Sequence, residues 1–381
     1  MNFEYVRSKL GALLQGDKVI WLVITFLAIF SVLTVYSSAE ALALRNGVQT
    51  ESFLIKHIVL LSASMVLMYI CHIINYMRYA RWSTILLVIA IPLLLYTSLF
   101  GETINMATRW VRIPFIGITF QTSDFAKMAL IMYVARTLSL MQDRDVSLAE
   151  LIFPVLLICA LIAPSDLSNS LILFFTCLVL MFIGRVDMRN VLSLVMLGVG
   201  LFAILIIMAD FFPDAIRVDT WISRLNEFWT GTAGDQFQVE QAKMAIAKGG
   251  VFGVGPGNAQ QAHFLPHAYS DYIYCIIIEE YGIIGAMLII ILYMTLLVRC
   301  IRLVTRSPKA FGAMLALGLC LSLVVQAFAH MAVSVNLVPV TGLTLPFVSM
   351  GGTSLMFTGV ALGIILSVSR YIESGLGEEA D

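Results

Sequence analysis

The chain has 381 residues, of which 60% are hydrophobic and only 12% are charged, against roughly a quarter charged in soluble proteins. Lys and Arg (23) nearly balance Asp and Glu (24), so the overall charge gives no argument for nucleic-acid binding. These values exclude an ordinary soluble enzyme and predict an integral membrane protein. Apolar stretches leave no room for a separate soluble domain, so we treat residues 1–381 as one membrane domain.

The first apolar run, residues 19–39, follows Arg7, Lys9 and Lys18 and therefore resembles a secretory signal. The apolar region of such a signal spans roughly 7–15 residues, and this run is longer. We therefore expect an uncleaved first membrane span.

Apolar runs long enough to cross a bilayer recur along the chain and predict an all-α polytopic fold of about ten membrane-spanning helices. These cover residues 19–39, 53–76, 82–100, 120–140, 149–163, 168–184, 190–212, 269–298, 310–333 and 353–370.

Lys and Arg concentrate in alternate connections, a distribution that is typical of cytoplasmic loops. With the N-terminus inside, the cytoplasmic side holds Arg7, Lys9, Lys18, Arg78, Arg81, Arg144, Arg185, Arg189, Arg299, Arg302, Arg306, Lys309 and Arg370. The short external loops hold only Arg45, Arg109 and Arg112. Both termini, residues 1–18 and 371–381, are therefore predicted to be cytoplasmic.

Residues 213–266 form a large external connection between the seventh and eighth predicted helices. Trp221, Trp229 and the glycine-rich run 249–257 indicate an ordered, partly re-entrant segment rather than a disordered loop. The run lacks the GK[ST] ending of a nucleotide-binding loop and follows no strand, so its glycines are expected to allow tight turns.

Two charged residues inside the fourth predicted helix stand out, because charge within a bilayer is costly and usually functional. Asp124 and Lys127 are three residues apart and so share one face of the helix. They form either an ion pair that holds the helix packing or a polar pair that faces a cavity. His330, in the ninth predicted helix, is expected to be a packing histidine rather than a ligand.

Further carboxylates lie at the start of the eighth predicted helix. Asp271 falls in its first turn, where it acts either as a stabiliser of the helix N-terminus or as a general base at the mouth of a cavity. Spacing alone leaves both readings open. Glu279 and Glu280 point about 100° apart, so one is expected to face a cavity and the other to bond to a neighbouring helix.

External cations offer partners for phosphate oxygens, and solvated loop charges are the alternative interpretation. These cations are Arg109, Arg217, Arg224, Lys243 and Lys248. The last external loop, residues 339–354, has no charge and two prolines and three glycines, so it is predicted to line a cavity. The six cysteines show no CxxC spacing, which argues against a zinc site or a disulfide framework.

Five ordered stretches resemble the motifs of the SEDS family (shape, elongation, division and sporulation), which includes RodA, FtsW and SpoVE. They are Arg109-Trp110 with 120–127 (RRW and FQPSEFAK in the family), 237–246 (YQ…Q…AI), 249–258 (GGLFGxGxGN), 265–274 (LPEAHTDFIF, continuing into 279–282) and 339–354 (LPVTGLPLPFISYGGSS).

The resemblance implies ten spanning helices, cytoplasmic termini and peptidoglycan glycosyltransferase activity on lipid II, with Asp271 as the essential catalytic aspartate. It also implies a class B penicillin-binding transpeptidase as a partner, alongside other division or elongation proteins and the nascent glycan strand. A divalent cation, Mg²⁺ or Mn²⁺, is an expectation that no sequence motif encodes. The residues expected around the substrate are Arg109, Trp110, Gln121, Ser123, Asp124, Lys127, Gln238, Lys243, His267, Ser270, Glu280, Ser349, Gly351 and Gly352.

The sequence departs from the family pattern at several positions. Asp124 replaces the usual Glu, while His267 and Tyr269 replace the Glu and His that flank the catalytic aspartate. Residues 163–170 match EPDLGTA only loosely, and Met350 replaces a tyrosine. An acid–base role for the two flanking residues does not follow from the resemblance.

Two other functions are compatible with the sequence: a transporter that flips the same lipid, and a non-catalytic scaffold for a transpeptidase. The inverted repeats and broken midplane helices of many transporters are not visible in the sequence. The short N-terminus and the last external loop favour an FtsW-like role in division over one in elongation.

Overall fold

The computed structural model describes residues 15–46, 50–104, 107–112, 119–144, 146–209, 211, 218–230, 236–265 and 268–378. The α-helices in these ranges are α1 (Lys18–Asn46), α2 (Thr50–Ile73), α3 (Met77–Phe100), α4 (Thr122–Asp143), α5 (Leu148–Ile162), α6 (Leu167–Ile183), α7 (Met188–Ala209), α8 (Val218–Thr230), α9 (Gln236–Gly249), α10 (Ile273–Arg306), α11 (Ala310–Ser334) and α12 (Thr353–Glu378). The strands are β1 (Glu102–Ile104), β2 (Ala107–Arg112) and β3 (Thr119–Gln121).

Each of the ten predicted spans coincides with a helix, which confirms an all-α polytopic membrane protein. Among the described residues, seven helices are long and apolar enough to cross a bilayer, and α5 and α6 are shorter apolar helices. The predicted bounds were too short where polar helix formers follow the apolar run. At α1, the segment AEALALRN continues the helix to Asn46, because Glu40 and Arg45 interrupt the apolar stretch while Ala, Leu, Glu and Arg all favour helix.

Elements outside the spans were not predicted. Between α3 and α4 the three strands form an antiparallel sheet in which Trp110 lies opposite Gln121. The long connection holds α8 and α9, and Ala242 and Ala245 of α9 share a buried cluster with Tyr272 and Ile276 beside the start of α10.

The most buried helix is α11, which packs against α4, α6, α10 and α12, whereas α7 buries only Leu194 and Ala209. Small residues let helices approach closely, as is common in membrane bundles. A Cβ at Gly318 of α11 would lie 2.8 Å from side-chain atoms of both Ile131 and Leu180. At the contact of α12 with α2, a Cβ at Gly363 would lie 2.3 Å from the Met68 carbonyl oxygen.

The bundle has two ends, which we call the site end and the opposite end. At the opposite end, where α1 begins and α10 and α12 finish, Asp17 Oδ1 accepts from the Val19 N–H at 2.8 Å and so caps α1. The same carboxylate binds Arg299 of α10 through two contacts of 2.7 and 2.8 Å. The Asp17 N–H donates to Ser369 of α12 at 2.7 Å. The site end, where α10 begins and α11 finishes, holds Asp271.

Candidate functional site

Asp271 lies in the turn before α10, not in the first helical turn that the sequence predicted. The helix begins at Ile273 because Tyr272, at its N-cap, has a non-helical backbone (φ −121°, ψ 18°). Asp271 is half-buried at the site end. Its expected neighbour His267 falls outside the described residues.

The loop between α11 and α12, residues 335–352, binds the main chain of the two residues just before Asp271; we call it the last loop. The Ser349 hydroxyl donates to the Ser270 carbonyl at 2.8 Å, and the Met350 N–H donates to the Tyr269 carbonyl at 3.1 Å. Ser349 also accepts from the Leu345 N–H at 2.9 Å. These bonds set the path of residues 268–272, which we call the Asp271 segment.

The last loop is itself bonded to three helices of the bundle. Gln326 of α11 donates to the Thr344 carbonyl at 3.0 Å, and His330 Nδ1 donates to the Leu343 carbonyl at 2.7 Å. Ser31 of α1 donates to the Val348 carbonyl at 2.8 Å, and Tyr293 of α10 donates to that of Pro346. His330 is buried and bonded, as the sequence predicted.

Asp124 and Lys127 form the predicted pair on α4. Lys127 Nζ lies 3.5 Å from Asp124 Oδ1 and donates to Gln326 Oε1 at 2.8 Å. Both residues line a small cavity of about 30 Å³ with Ser322, Gln326 and Ser354, among mostly apolar side chains. Within the described part of the chain, Asp124 Oδ2 and Ser322 Oγ have no hydrogen-bond partner. The pair therefore both joins two helices and supplies polar groups to a cavity with room for a water molecule.

The sheet and the start of α4 bring together other residues expected around the substrate. Gln121, opposite Trp110, donates from its side chain to Ser123 at 3.0 Å and from its N–H to Thr353 at 3.3 Å. Thr353 begins α12, directly after Gly351 and Gly352 of the last loop. The side chain of Arg109 lies outside the described part of the structure.

Two expected residues lie on α9. Gln238 is half-buried and Lys243 is exposed, while Ala242 and Ala245 on the same helix are buried. Lys243 therefore lies on the side of α9 that faces away from the cluster beneath the Asp271 segment. Among the other loop cations, Lys248 donates to Gln260 at 3.0 Å. Arg224 of α8 lines a separate cavity of about 490 Å³ between α6, α7 and α8.

The structure shows the partners of Glu279 and Glu280. Glu280, expected around the substrate, is 1% exposed, and its Oε1 accepts from the Gly257 N–H at 3.0 Å and from the Ser37 hydroxyl of α1. Glu279 accepts from the N–H groups of Gln260 and Gln261. Sequence spacing could not show these partners, because three of them lie in the long connection and Ser37 lies on the first helix.

Tyr269 shares the Asp271 segment. Burial, and then the negative charge of Asp271, raise the pKa of the Tyr269 phenol above its ordinary value. The phenol therefore remains protonated at neutral pH and can donate a hydrogen bond beside the carboxylate.

Protein metal sites are usually built from several His, Cys, Asp or Glu side chains. Within the described ranges, no three of these side chains come together in a way that could hold a metal ion.

The fold is that of a polytopic membrane protein. Its helices bury a carboxylate–ammonium pair, and a half-buried aspartate lies at the site end. A family model described as "Cell cycle protein", covering FtsW, RodA and SpoVE, matches residues 17–374. The chain belongs to this family, the SEDS family.

Individual relatives match over nearly their whole length. The probable peptidoglycan glycosyltransferase FtsW of Trichlorobacter lovleyi is 32% identical over 364 residues, 95% of each chain. Stage V sporulation protein E of Bacillus subtilis is 30% identical, over 93% of this chain and 97% of that protein.

Solved structures share the fold. The rod shape determining protein RodA of Thermus thermophilus superposes with a TM-score of 0.68 at 23% identity, covering 93% of this chain and 97% of RodA. A chain from "Structural coordination of polymerization and crosslinking by a peptidoglycan synthase complex" gives 0.72 at 22% identity, covering 94% and 98%.

Proposed function

We propose that this protein is a peptidoglycan glycosyltransferase that polymerises lipid II at the outer face of the bacterial cytoplasmic membrane. Family membership and relatives named as FtsW glycosyltransferases support the activity. The observation that carries the proposal is a half-buried aspartate whose preceding main chain is bonded to the last loop, a loop that Gln326 also joins to the Lys127–Asp124 pair.

Asp271 acts in this proposal as the general base. Its carboxylate takes the proton of a sugar hydroxyl on the acceptor, and the hydroxyl oxygen attacks the anomeric carbon of the donor. The bond from that carbon to the pyrophosphate oxygen breaks, and undecaprenyl pyrophosphate leaves with the bonding electrons. Arg109, Lys127 and the loop cations are the candidates to stabilise its growing negative charge.

The distribution of charge supports an orientation. The helix ends and connections at the opposite end carry Arg78, Arg81, Arg185, Arg189, Arg299, Arg302, Arg306 and Lys309. Segments rich in Lys and Arg stay in the cytoplasm, which favours a site end outside and both termini inside. The isoprenoid tails of the substrates would then lie in the bilayer beside the bundle.

Further parts of the proposal concern partners and cofactors. The likeness to a chain of a peptidoglycan synthase complex supports a class B penicillin-binding transpeptidase as partner. The FtsW relatives and the last loop favour a role in division over one in elongation. A divalent cation at the pyrophosphate stays a prediction, tested by assaying polymerisation with EDTA and with added Mg²⁺ or Mn²⁺.

The decisive experiment reconstitutes the protein with lipid II on the face that reaches the site end. We expect Asp271→Asn to lower the rate of glycan formation by at least about 100-fold, the lower limit for loss of a general base. The matched control is Asp219→Asn, an exposed carboxylate on α8, which should keep the wild-type rate. Glycan formation at the full rate by Asp271→Asn would exclude the assignment, and transfer of lipid without glycan formation by the wild type would indicate a flippase.

A further inference from the structure

The helix α10 is broken near its start. Gly282 has a backbone conformation (φ 66°, ψ −164°) that interrupts the helix. An unbroken helix would bond the N–H of Ile283 to the carbonyl of Glu279, and that of Ile284 to the carbonyl of Glu280. The break separates both pairs, and buried main-chain groups need other partners.

The glycine loop, residues 249–258, replaces both lost helical bonds. The Glu279 and Glu280 carbonyls accept from the N–H groups of Val254 (2.9 Å) and Gly255 (3.0 Å). On the other side of the break, the N–H groups of Ile283 and Ile284 donate to residues 250 (3.0 Å) and 251 (3.4 Å). The loop therefore lies inside the interruption of α10 and bonds to both of its halves.

Glycine is required for this approach. A Cβ at Gly253 would lie 2.1 Å from the Glu280 carbonyl oxygen, and one at Gly282 would lie 2.2 Å from that of Val251. Both residues also have positive φ, which side chains disfavour. The main chains of loop and helix are thus in direct contact, with no side chain between them.

The side chains of Glu279 and Glu280 extend the same contact along the loop. Glu280 Oε1 accepts from the Gly257 N–H at 3.0 Å, and Glu279 Oε1 accepts from the N–H groups of Gln260 (3.0 Å) and Gln261 (3.2 Å). The two glutamates are 0% and 1% exposed, so these carboxylates depend on protein donors rather than on bulk water. Seven main-chain groups between residues 250 and 261 are therefore bonded to the broken turn, those of residues 250, 251, 254, 255, 257, 260 and 261.

This contact lies directly upstream of Asp271. From Gln261 the chain runs ten residues to Asp271 and two more to Ile273. Leu265, Ala268 and Tyr272 on this path pack in the same buried cluster as α9. The Asp271 segment is therefore held from two sides, by the last loop through Tyr269 and Ser270 and by Glu279 through Gln261.

We infer that Glu279 and Glu280 are positioning residues for the proposed glycosyl transfer: their carboxylates set the path of the glycine loop, and through it the position of Asp271. The inference rests on the proposed function. In this inference, neither carboxylate contacts the substrate. The glycine loop supports the position of Asp271, the proposed general base, and does not bind phosphate.

The test compares Glu279→Ala with Glu279→Gln in proteoliposomes supplied with lipid II. Glutamine keeps the Oε1 acceptor for the two N–H groups, whereas alanine removes it. We expect Glu279→Ala to lower kcat at least tenfold with KM within threefold of wild type, because the base is displaced while lipid binding persists. Glu279→Gln should recover kcat to within about threefold of wild type.

Amide hydrogen exchange supplies the second readout. In Glu279→Ala, exchange in residues 254–265 should rise at least tenfold, while α11 should exchange as in the wild type. The matched control is Glu150→Ala, an exposed carboxylate on α5, which should change neither measurement.

The outcomes separate the possibilities. Faster exchange with unchanged kcat would make Glu279 merely structural and overturn the inference, as would no change in either measurement. An equal loss of kcat in the alanine and glutamine variants would also overturn it, because the acceptor oxygen would then not matter. The proposed function fails on a different result, full activity of Asp271→Asn.

Discussion

Lys127 belongs to a chain of polar contacts that joins α4, α11 and the last loop. It pairs with Asp124 on its own helix and donates to Gln326 of α11, whose amide donates in turn to Thr344 of the last loop. Asp124 is 4% exposed, so its charge depends on this partner. A buried pair adds little net stability when intact, but removing one member leaves an uncompensated charge.

Lys127→Met should therefore destabilise the protein by about 3 kcal/mol, because the Asp124 carboxylate loses its cation. Thermal unfolding of the detergent-purified protein measures the effect. The double variant Lys127→Met with Asp124→Asn should recover part of the loss, since no unpaired charge remains. A single variant as stable as wild type would show that Asp124 is solvated or protonated in the bundle.

At the scale of elements, α10 consists of two helical rods on either side of Gly282. The first rod carries Glu279 and Glu280 and starts two residues after Asp271, while the second rod carries Arg299, which is bonded to Asp17, and ends at Arg306. The glycine loop supplies the main-chain partners that the break removes. The break therefore belongs to the native packing and does not leave the turn unsatisfied.

Gly282→Ala should destabilise the protein by at least about 2 kcal/mol, because alanine is strained at this backbone conformation and its Cβ meets the Val251 carbonyl. The midpoint of thermal unfolding and the polymerisation rate should both fall. Gly200→Ala on the exposed face of α7 is the control: a Cβ there meets nothing within 4 Å, and alanine favours helix. Equal stabilities of the two variants would contradict the contact between loop and helix.

For the whole molecule, the distribution of charge and burial distinguishes the two ends of the bundle and supports one orientation in the membrane. Positive residues collect at the opposite end, and the uncharged last loop and the Asp271 segment lie at the site end. The central helix α11 is buried on nearly all sides, whereas α7 presents almost its whole length to the lipid. The site is therefore supported by the most buried part of the bundle.

Fusions in a living bacterium test the direction. Green fluorescent protein after residue 378 should fluoresce, because the C-terminus is predicted to be cytoplasmic. Alkaline phosphatase inserted between residues 231 and 235 should be active, since the long connection between α7 and α10 is predicted to be outside. An active phosphatase at the C-terminus would reverse the topology and place Asp271 in the cytoplasm.

The helices could be predicted because long apolar runs are a local property of the sequence, and so could the pairing of Asp124 with Lys127, which share one helix face. The break at Gly282 could not, because an isolated glycine in an apolar helix looks the same whether or not a distant loop enters beside it. The hydrogen-bond partners of Glu279 and Glu280 could not be predicted for the same reason. The strands around Trp110 and Gln121 are too short for a two-residue period to be recognised.

The four side-chain bonds described from the bundle to the last loop end on main-chain carbonyls, those of residues 343, 344, 346 and 348. A carbonyl is present whatever side chain its residue carries, so point mutations at these four positions leave the acceptors in place. Lengthening or shortening the loop by one residue would instead shift every acceptor past its donor. Evolutionary drift along this stretch should therefore proceed by substitution and not by insertion or deletion.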